Sequence, residues 1–266
     1  MTTRQIIENS RKIVIKIGSN TLAKDDGTIN IGFMHEFAGQ CEALIAQSKQ
    51  LVIVSSGAQV AGLSTLHCWT RKQDIHYRQA LCAIGQVELM KQWSNAFMSN
   101  GMHIGQLLVT KDDFADSQRT LNMRNTLFTL VDEGVIPVIN ENDSVSYEEI
   151  SIGDNDNISA LASVLWNADL LILFSDIDGV YDKNPKNNTD AKLITQVKSI
   201  SALKDTITMD SKSNFGTGGM VTKLEAAERV LSYGIPMVLA NGNTSHILEK
   251  LCDGTVSGTL FYSQDN

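Results

Sequence analysis

The chain has 266 residues, enough for one large α/β domain or two small ones, and a single domain of that size buries about 75% of its unfolded surface without a disulfide or metal staple. Hydrophobic residues make up 42% and charged residues 20%, as in an ordinary soluble globular protein, and a formal net charge of −8 excludes a general nucleic-acid binder, whose phosphate contacts need a basic face. The opening MTTRQIIENSRK lacks the apolar core of a signal peptide, no apolar run approaches the ~20 residues of a membrane span, and Cys41, Cys68, Cys82 and Cys252 form no C-x-x-C pair, so they read as reduced thiols of a cytoplasmic protein.

In chain order, the first element is the strand IVIKIG (13–18), with Lys16 inside it and Gly18 and Ser19 at its end. A lysine there is costly to bury unless it meets an anion or a carboxylate; the bland reading is an edge-strand lysine turned to water. The strand LVIVSS (51–56) follows, and Ser55-Ser56-Gly57-Ala58 opens what reads as a helix, whose freed amides suit a carboxylate or phosphate unless the serine is a simple cap. Helical spacing runs over 74–100 and 120–133, ending near Gly101 and Gly134, with the strand HIGQLLV (103–109) between them. The strand VIPVIN (135–140) leads into Asn140-Glu141-Asn142-Asp143, and GDND precedes a helix over 155–167. Asp143, Asp154 and Asp156, with Asn155, bring acids close enough to repel unless cations stand among them.

The strand DLLILF (169–174) ends in Ser175-Asp176-Ile177-Asp178-Gly179. Asp-x-Asp-x-Val after an apolar strand also matches the nucleophile motif of haloacid-dehalogenase-type phosphatases, with Asp176 as nucleophile and Asp178 as general acid. That motif usually sits on the first strand, and here the strand is fifth. Polar stretches at 182–190 and 205–219 read as loops. After them comes NFGTGGMVTK (214–223) and a helix on which Met220, Val221, Leu224, Ala227, Val230 and Leu231 share one face, closed by Gly234. The last strand is IPMVLA (235–240), ending at Asn241-Gly242.

Strands alternating with helices imply a mostly parallel, doubly wound sheet. Ligands of such sheets bind beyond the carboxyl ends of the strands. Five of the six runs end in small or charged residues, and those five ends converge on one edge. The glycine-rich NFGTGGMVTK is neither a Walker loop nor a dinucleotide fingerprint, because three residues separate Gly219 from Lys223 and Val221 stands where a third glycine belongs. Gly216, Gly218 and Gly219 let backbone amides approach an anion, the helix start adds its positive end, and Lys223 lies about one turn inside.

The segments KIGSNTL, IVSSGAQVAG, QALCAIGQ, LNMRNTL, VIPVINENDSV, IGDNDNISALAS, SDIDGVY and GTGGMVTKLEAA, from about Lys12 to Phe261, resemble the amino acid kinase family. INEND followed by GDND points to its glutamate-phosphorylating branch. The resemblance implies a three-layer α/β/α sandwich with an open, mainly parallel sheet, as one kinase domain over 1–266. The N-terminal half would take the acyl acceptor and the C-terminal half ATP. It implies contact of Lys16 and Lys223 with the transferring phosphoryl group, and Asp156 holding both lysines. Ser56, Asp143 and Asn155 would bind L-glutamate. Ser175, Asp176 and the run Thr217, Gly218, Gly219, Met220, Val221, Thr222 and Lys223 would contact ATP, with Mg²⁺ carried on the phosphates. Proline as feedback inhibitor, a homodimer or homotetramer, and hand-off to glutamyl phosphate reductase follow from the same resemblance.

Two departures stand out. Ser175 replaces the family's usual threonine and keeps the hydroxyl. Many bacterial members carry a C-terminal RNA-modification-type PUA domain, and the sequence reaches Asn266 about where one would begin, so the expectation is a kinase domain without it. Three other readings stay open at this point: a sister kinase for acetylglutamate, aspartate, uridylate or isopentenyl phosphate, the phosphatase, and a non-catalytic nucleotide or amino-acid sensor.

Overall fold

The computed structural model describes residues 1–66, 74–146, 155–183, 185, 187–206 and 219–263. Its N-terminal half runs α1 (Thr3–Asn9), β1 (Lys12–Ile17), α2 (Ser19–Leu22), α3 (Ile31–Ala46), β2 (Gln50–Ser55), α4 (Ala58–Leu66), α5 (Ile75–Met98), β3 (Ile104–Val109), α6 (Lys111–Ala115), α7 (Ser117–Asp132) and β4 (Ile136–Glu141). The C-terminal half runs α8 (Asn155–Trp166), β5 (Leu170–Ser175), β6 (Val180–Tyr181), β7 (Leu193–Ile194), β8 (Gln196–Val197), α9 (Ile200–Thr206), α10 (Gly219–Leu231), β9 (Met237–Asn241), α11 (Ile247–Asp253) and β10 (Thr259–Phe261). The six strands expected from apolar runs are all present, shifted by a residue or two. Local signals set several helix ends: Asp74 and Asp116 accept from the first free amides of α5 and α7, and Gly134 and Gly234 turn left-handed (φ 72° and 73°) where α7 and α10 stop.

Eight strands form one sheet in the order β3-β4-β2-β1-β5-β9-β10-β8. Pairings from β3 through β9 are parallel, and β10 runs antiparallel to β9. Both faces are covered, which is why the strands read as continuous apolar runs. Ile13, Ile15, Ile17, Ile53 and Phe174 pack with α3, α5 and α11 on one face; Val14, Val52, Val54, Leu171 and Leu173 pack with α7, α8 and α10 on the other. The result is the expected α/β/α sandwich. The helix α3 escaped the sequence reading, although Met34, Phe37, Ala38, Cys41 and Leu44 recur at helical spacing and are buried.

The sheet places β1 at its centre, with β2 on one side and β5 on the other. The chain therefore winds outward in opposite directions from β1 and β5, and a crevice opens at their carboxyl ends. Among the described residues, no helix is long and apolar enough to cross a membrane, and Cys41, Cys82 and Cys252 are free thiols.

Candidate active site

Alternation along β1 puts Lys16 on the same face as Val14, beneath α8 and α10. The edge-strand reading of Lys16 is thereby overturned: β1 is central and Lys16 is 5% exposed. Its Nζ lies 2.6 Å from Oδ1 of Asp156, the second residue of α8. Lys223, four residues into α10, donates from Nζ to Asp156 Oδ2 at 3.1 Å and to the Gly219 carbonyl at 2.9 Å. Thr222 Oγ1 donates to the same carboxylate oxygen at 2.9 Å. Asp156 is 2% exposed and Lys223 8%.

Burial alone would raise the Asp156 pKa, but the ammonium groups of Lys16 and Lys223 outweigh it and hold the carboxyl below its usual range. The N-terminal dipole of α8 acts in the same direction. Two cations on one carboxylate leave a buried cluster with a net charge of +1. A desolvated excess charge is unfavourable until an anion joins it, so the cluster is built to receive one.

Ser175 ends the neighbouring strand β5, and Asp176 follows it. Asp176 Oδ2 accepts from Asn20 Nδ2 at 2.9 Å, and Oδ1 from Ser175 Oγ at 3.1 Å. Burial works to raise the Asp176 pKa, yet these bonds and the field of Lys223 hold it low, so it is ionised at neutral pH. Asp178 accepts from Tyr181 Oη at 2.8 Å and Asn241 Nδ2 at 2.9 Å, a tie between β5, β6 and β9 rather than the posture of a general acid.

On α10, Gly219 opens the helix, and a Cβ added there would meet nothing within 4 Å. Met220 is half-buried, but Val221 is 49% exposed, which corrects the expected apolar face. The helix is rolled so that Thr222, Lys223, Ala226, Ala227 and Val230 turn inward, because the pull of Asp156 on Thr222 and Lys223 outweighs the burial of one valine. Thr217 and Gly218 of the expected ATP run lie outside the described residues, as do Gly216 and Asp154.

Across the crevice, Ser56 follows β2, and its Oγ accepts from Asn155 Nδ2 at 2.9 Å. The same Asn155 Nδ2 donates to Asn140 Oδ1 at 3.0 Å. Asp143 follows β4, and burial pushes its pKa up to about 6 against the pull of the Cys82 thiol and Arg78. Burial, then the charge of Asp143, pushes Cys82 up to about 12, so this thiol stays protonated and serves as a hydrogen-bond donor. Cys82 and Arg78 both lie on α5. That helix meets α4 backbone to backbone, because a Cβ on Gly62 would fall 2.1 Å from Leu81 O and one on Gly85 1.8 Å from Ala58 O.

The structure thus joins Lys16, Asp156 and Lys223 by direct contact, joins Ser56 to Asn155, and puts Asn155 and Asp156 side by side on α8 between the two groups. Sequence reasoning missed Asn20, Arg78, Cys82, Gln86 and Asn140. Asn140 sat within a quoted motif, and Gln86 within QALCAIGQ. Cys82 sat in the same motif without a role, and nothing local marks Arg78; both act on Asp143 only because the fold brings α5 to the end of β4.

Residues 11–241 match the profile of the Amino acid kinase family. The chain is 59% identical over 257 residues to "Glutamate 5-kinase" of Alkaliphilus metalliredigens, covering 97% of either chain. It is 53% identical over 261 residues to "Glutamate 5-kinase" of Alkaliphilus oremlandii, covering 98% of this chain and 99% of that one. Among solved structures it resembles a carbamate kinase from Giardia lamblia bound to AMP-PNP, with a TM-score of 0.67 over 97% of this chain and 100% of that one; at 14% identity the likeness is one of fold.

Proposed function

The chain belongs to the amino acid kinase family, and from that premise we infer that it transfers the γ-phosphoryl group of ATP to the γ-carboxylate of L-glutamate. The product is L-glutamyl 5-phosphate, and the reaction is the first step of proline biosynthesis. The observation that carries the chemistry is the buried Lys16–Asp156–Lys223 cluster with its excess positive charge. The acceptor rests on the full-length relatives named glutamate 5-kinase.

A carboxylate has no proton to lose, so the reaction needs no general base. Its obstacle is electrostatic, since one anion must approach another. In a loose phosphoryl-transfer transition state the charge spreads over the equatorial oxygens, and catalysis is positioning plus charge stabilisation. Lys16 from β1 and Lys223 from α10 supply that charge from opposite sides. Asp156 keeps the two ammonium groups together while no phosphate is present. A single well-placed cation in comparable enzymes is worth about 10³–10⁵ in rate. Holding the two anions in line contributes at most about 7–11 kcal/mol more.

In this reading the C-terminal half holds the nucleotide through Ser175, Asp176 and the start of α10. Magnesium, when bound, neutralises charge on the phosphates. The ionised Asp176, whose oxygens carry one described hydrogen bond each, is the residue suited to face it. The N-terminal half holds glutamate, with Asp143 on its ammonium group and Ser56 with the nearby helix-start amides on its α-carboxylate. Inhibition by proline, assembly as a homodimer or homotetramer, and hand-off of the labile product to glutamyl phosphate reductase belong to the same reading and rest on the family resemblance.

The test is coupled ADP release in magnesium, with L-glutamate, without it, and against a panel of acetylglutamate, aspartate, uridylate and isopentenyl phosphate. Turnover should require L-glutamate. ATP hydrolysis indifferent to the acceptor, or preference for another member of the panel, would remove the assignment.

A further inference from the structure

The hydrogen bonds around Asn140 have a direction that one backbone group decides. The Glu141 N–H donates to the Asn140 side chain at 2.8 Å, and a backbone N–H only donates, so the atom facing it is the amide oxygen. The other head atom of Asn140 is therefore its NH₂, and it donates to Gln86 Oε1 at 2.7 Å. The Asn155 atom that reaches both Asn140 Oδ1 and Ser56 Oγ must be a donor, its Nδ2. Two properties follow for the acceptor pocket. Ser56 accepts from Asn155, so its own proton remains to be donated. Asn155 Oδ1 is left buried with no partner among the described residues. Gln86 keeps this orientation although its Nε2 is itself buried without a partner among the described residues. The flipped amide would set two NH₂ groups face to face.

We propose that Gln86, on α5, is a positioning residue for the acceptor: through Asn140 it holds the Asn155 amide with its oxygen, rather than its NH₂, left to meet the substrate. The inference rests on the glutamate kinase reading and deepens it. A pocket that offers a serine hydroxyl as donor, with the Asn155 oxygen and the Asp143 carboxylate as acceptors, suits a free α-amino acid. Its carboxylate meets the donor, and its ammonium group meets the two acceptors. An N-acylated amino acid carries one N–H and no charge at that position and leaves an acceptor unmatched, so Gln86 contributes to selection of the unacylated substrate.

Steady-state kinetics of the purified protein and two variants test this. Gln86→Met removes the acceptor for Asn140 with little change in volume, and Gln86→Glu keeps an acceptor there. Gln86→Met should raise the KM for glutamate about tenfold while the KM for ATP stays within about twofold, and Gln86→Glu should hold the glutamate KM within about threefold of the unmodified protein. Should Gln86→Met fail to fold by circular dichroism, Gln86→Ala takes its place. An unchanged glutamate KM in the disrupting variant, equal impairment of Gln86→Glu, or a parallel rise in both KM values would overturn the positioning role alone. No glutamate-dependent turnover in the unmodified protein would overturn the kinase reading, and this inference with it.

Discussion

Replacing Asp156 with asparagine removes the one charge that holds two buried ammonium groups together. Lys16 and Lys223 lie 2.6 and 3.1 Å from opposite oxygens of that carboxylate. Those two contacts and the width of the carboxylate put the ammonium groups about 5–8 Å apart, where two like charges at an effective dielectric of about 20 repel by about 2–3 kcal/mol. Loss of one partner from a buried ion cluster costs about 3–5 kcal/mol when the uncompensated charge stays in place. Asp156→Asn should therefore lose about 3–5 kcal/mol in urea unfolding at pH 7.5, a large share of the roughly 5–15 kcal/mol of a typical domain. Two further readouts separate this cause from simple loss of packing. Adding Lys223→Met to Asp156→Asn should recover part of the lost stability, because it removes the repulsion. Saturating nucleotide should stabilise the Asp156→Asn protein more than the unmodified one, because the phosphates replace the missing negative charge. A variant that unfolds within about 1 kcal/mol of the unmodified protein and turns over at near-normal kcat would refute the reasoning.

Lys16→Ala and Lys223→Ala should each lower kcat by about 10³-fold or more while changing the KM for ATP far less, and near-normal turnover in either would remove that lysine from the mechanism. The folded pKa of Asp143 is raised to about 6 from 3.8, so its contribution to stability is full below about pH 4 and is lost as pH rises through 6. Asp143→Asn should then unfold about 2–3 kcal/mol later than the unmodified protein at pH 8 and at the same point at pH 4. It should also raise the glutamate KM, and the unmodified enzyme should show that KM climbing as pH falls below about 6; a flat profile would detach Asp143 from the ammonium group. Gly85→Ala places a Cβ 1.8 Å from the Ala58 carbonyl and 2.3 Å from the Gly62 nitrogen. It should cost about 3 kcal/mol in thermal or urea unfolding and weaken glutamate more than ATP, since α5 carries Arg78, Cys82 and Gln86; a silent substitution would show that α4 and α5 part easily.

Much of this molecule was legible from local pattern. Strands buried on both faces show as unbroken apolar runs, and six of them were found within a residue or two. The glycines that close α7 and α10 mark their own positions. The motifs carrying Lys16, Ser56, Asp143, Asn155, Asp156 and Lys223 were readable because each sits at a strand or helix end where the chemistry is concentrated. The face of α10 was misread because periodicity counts only apolar residues. The burial of Thr222 and Lys223 comes from a partner 66 and 67 residues away. The edge reading of Lys16 stayed open for the same reason: a strand's sequence does not state which strands flank it.

By itself, then, the order of residues determined the alternation of strands and helices, the ends at which reactive groups stand, and the family to which the motifs point. The tertiary structure decided that β1 is central, that Lys16 and Lys223 share Asp156, that α5 lays Gln86, Cys82 and Arg78 against the end of β4, and that one backbone N–H orients the amides of Asn140 and Asn155. Secondary structure is written in spacings of two to four residues, which a chain carries locally. Charge pairing and hydrogen-bond direction depend on which distant groups share a small volume, and only the assembled sheet with its covering helices brings them there.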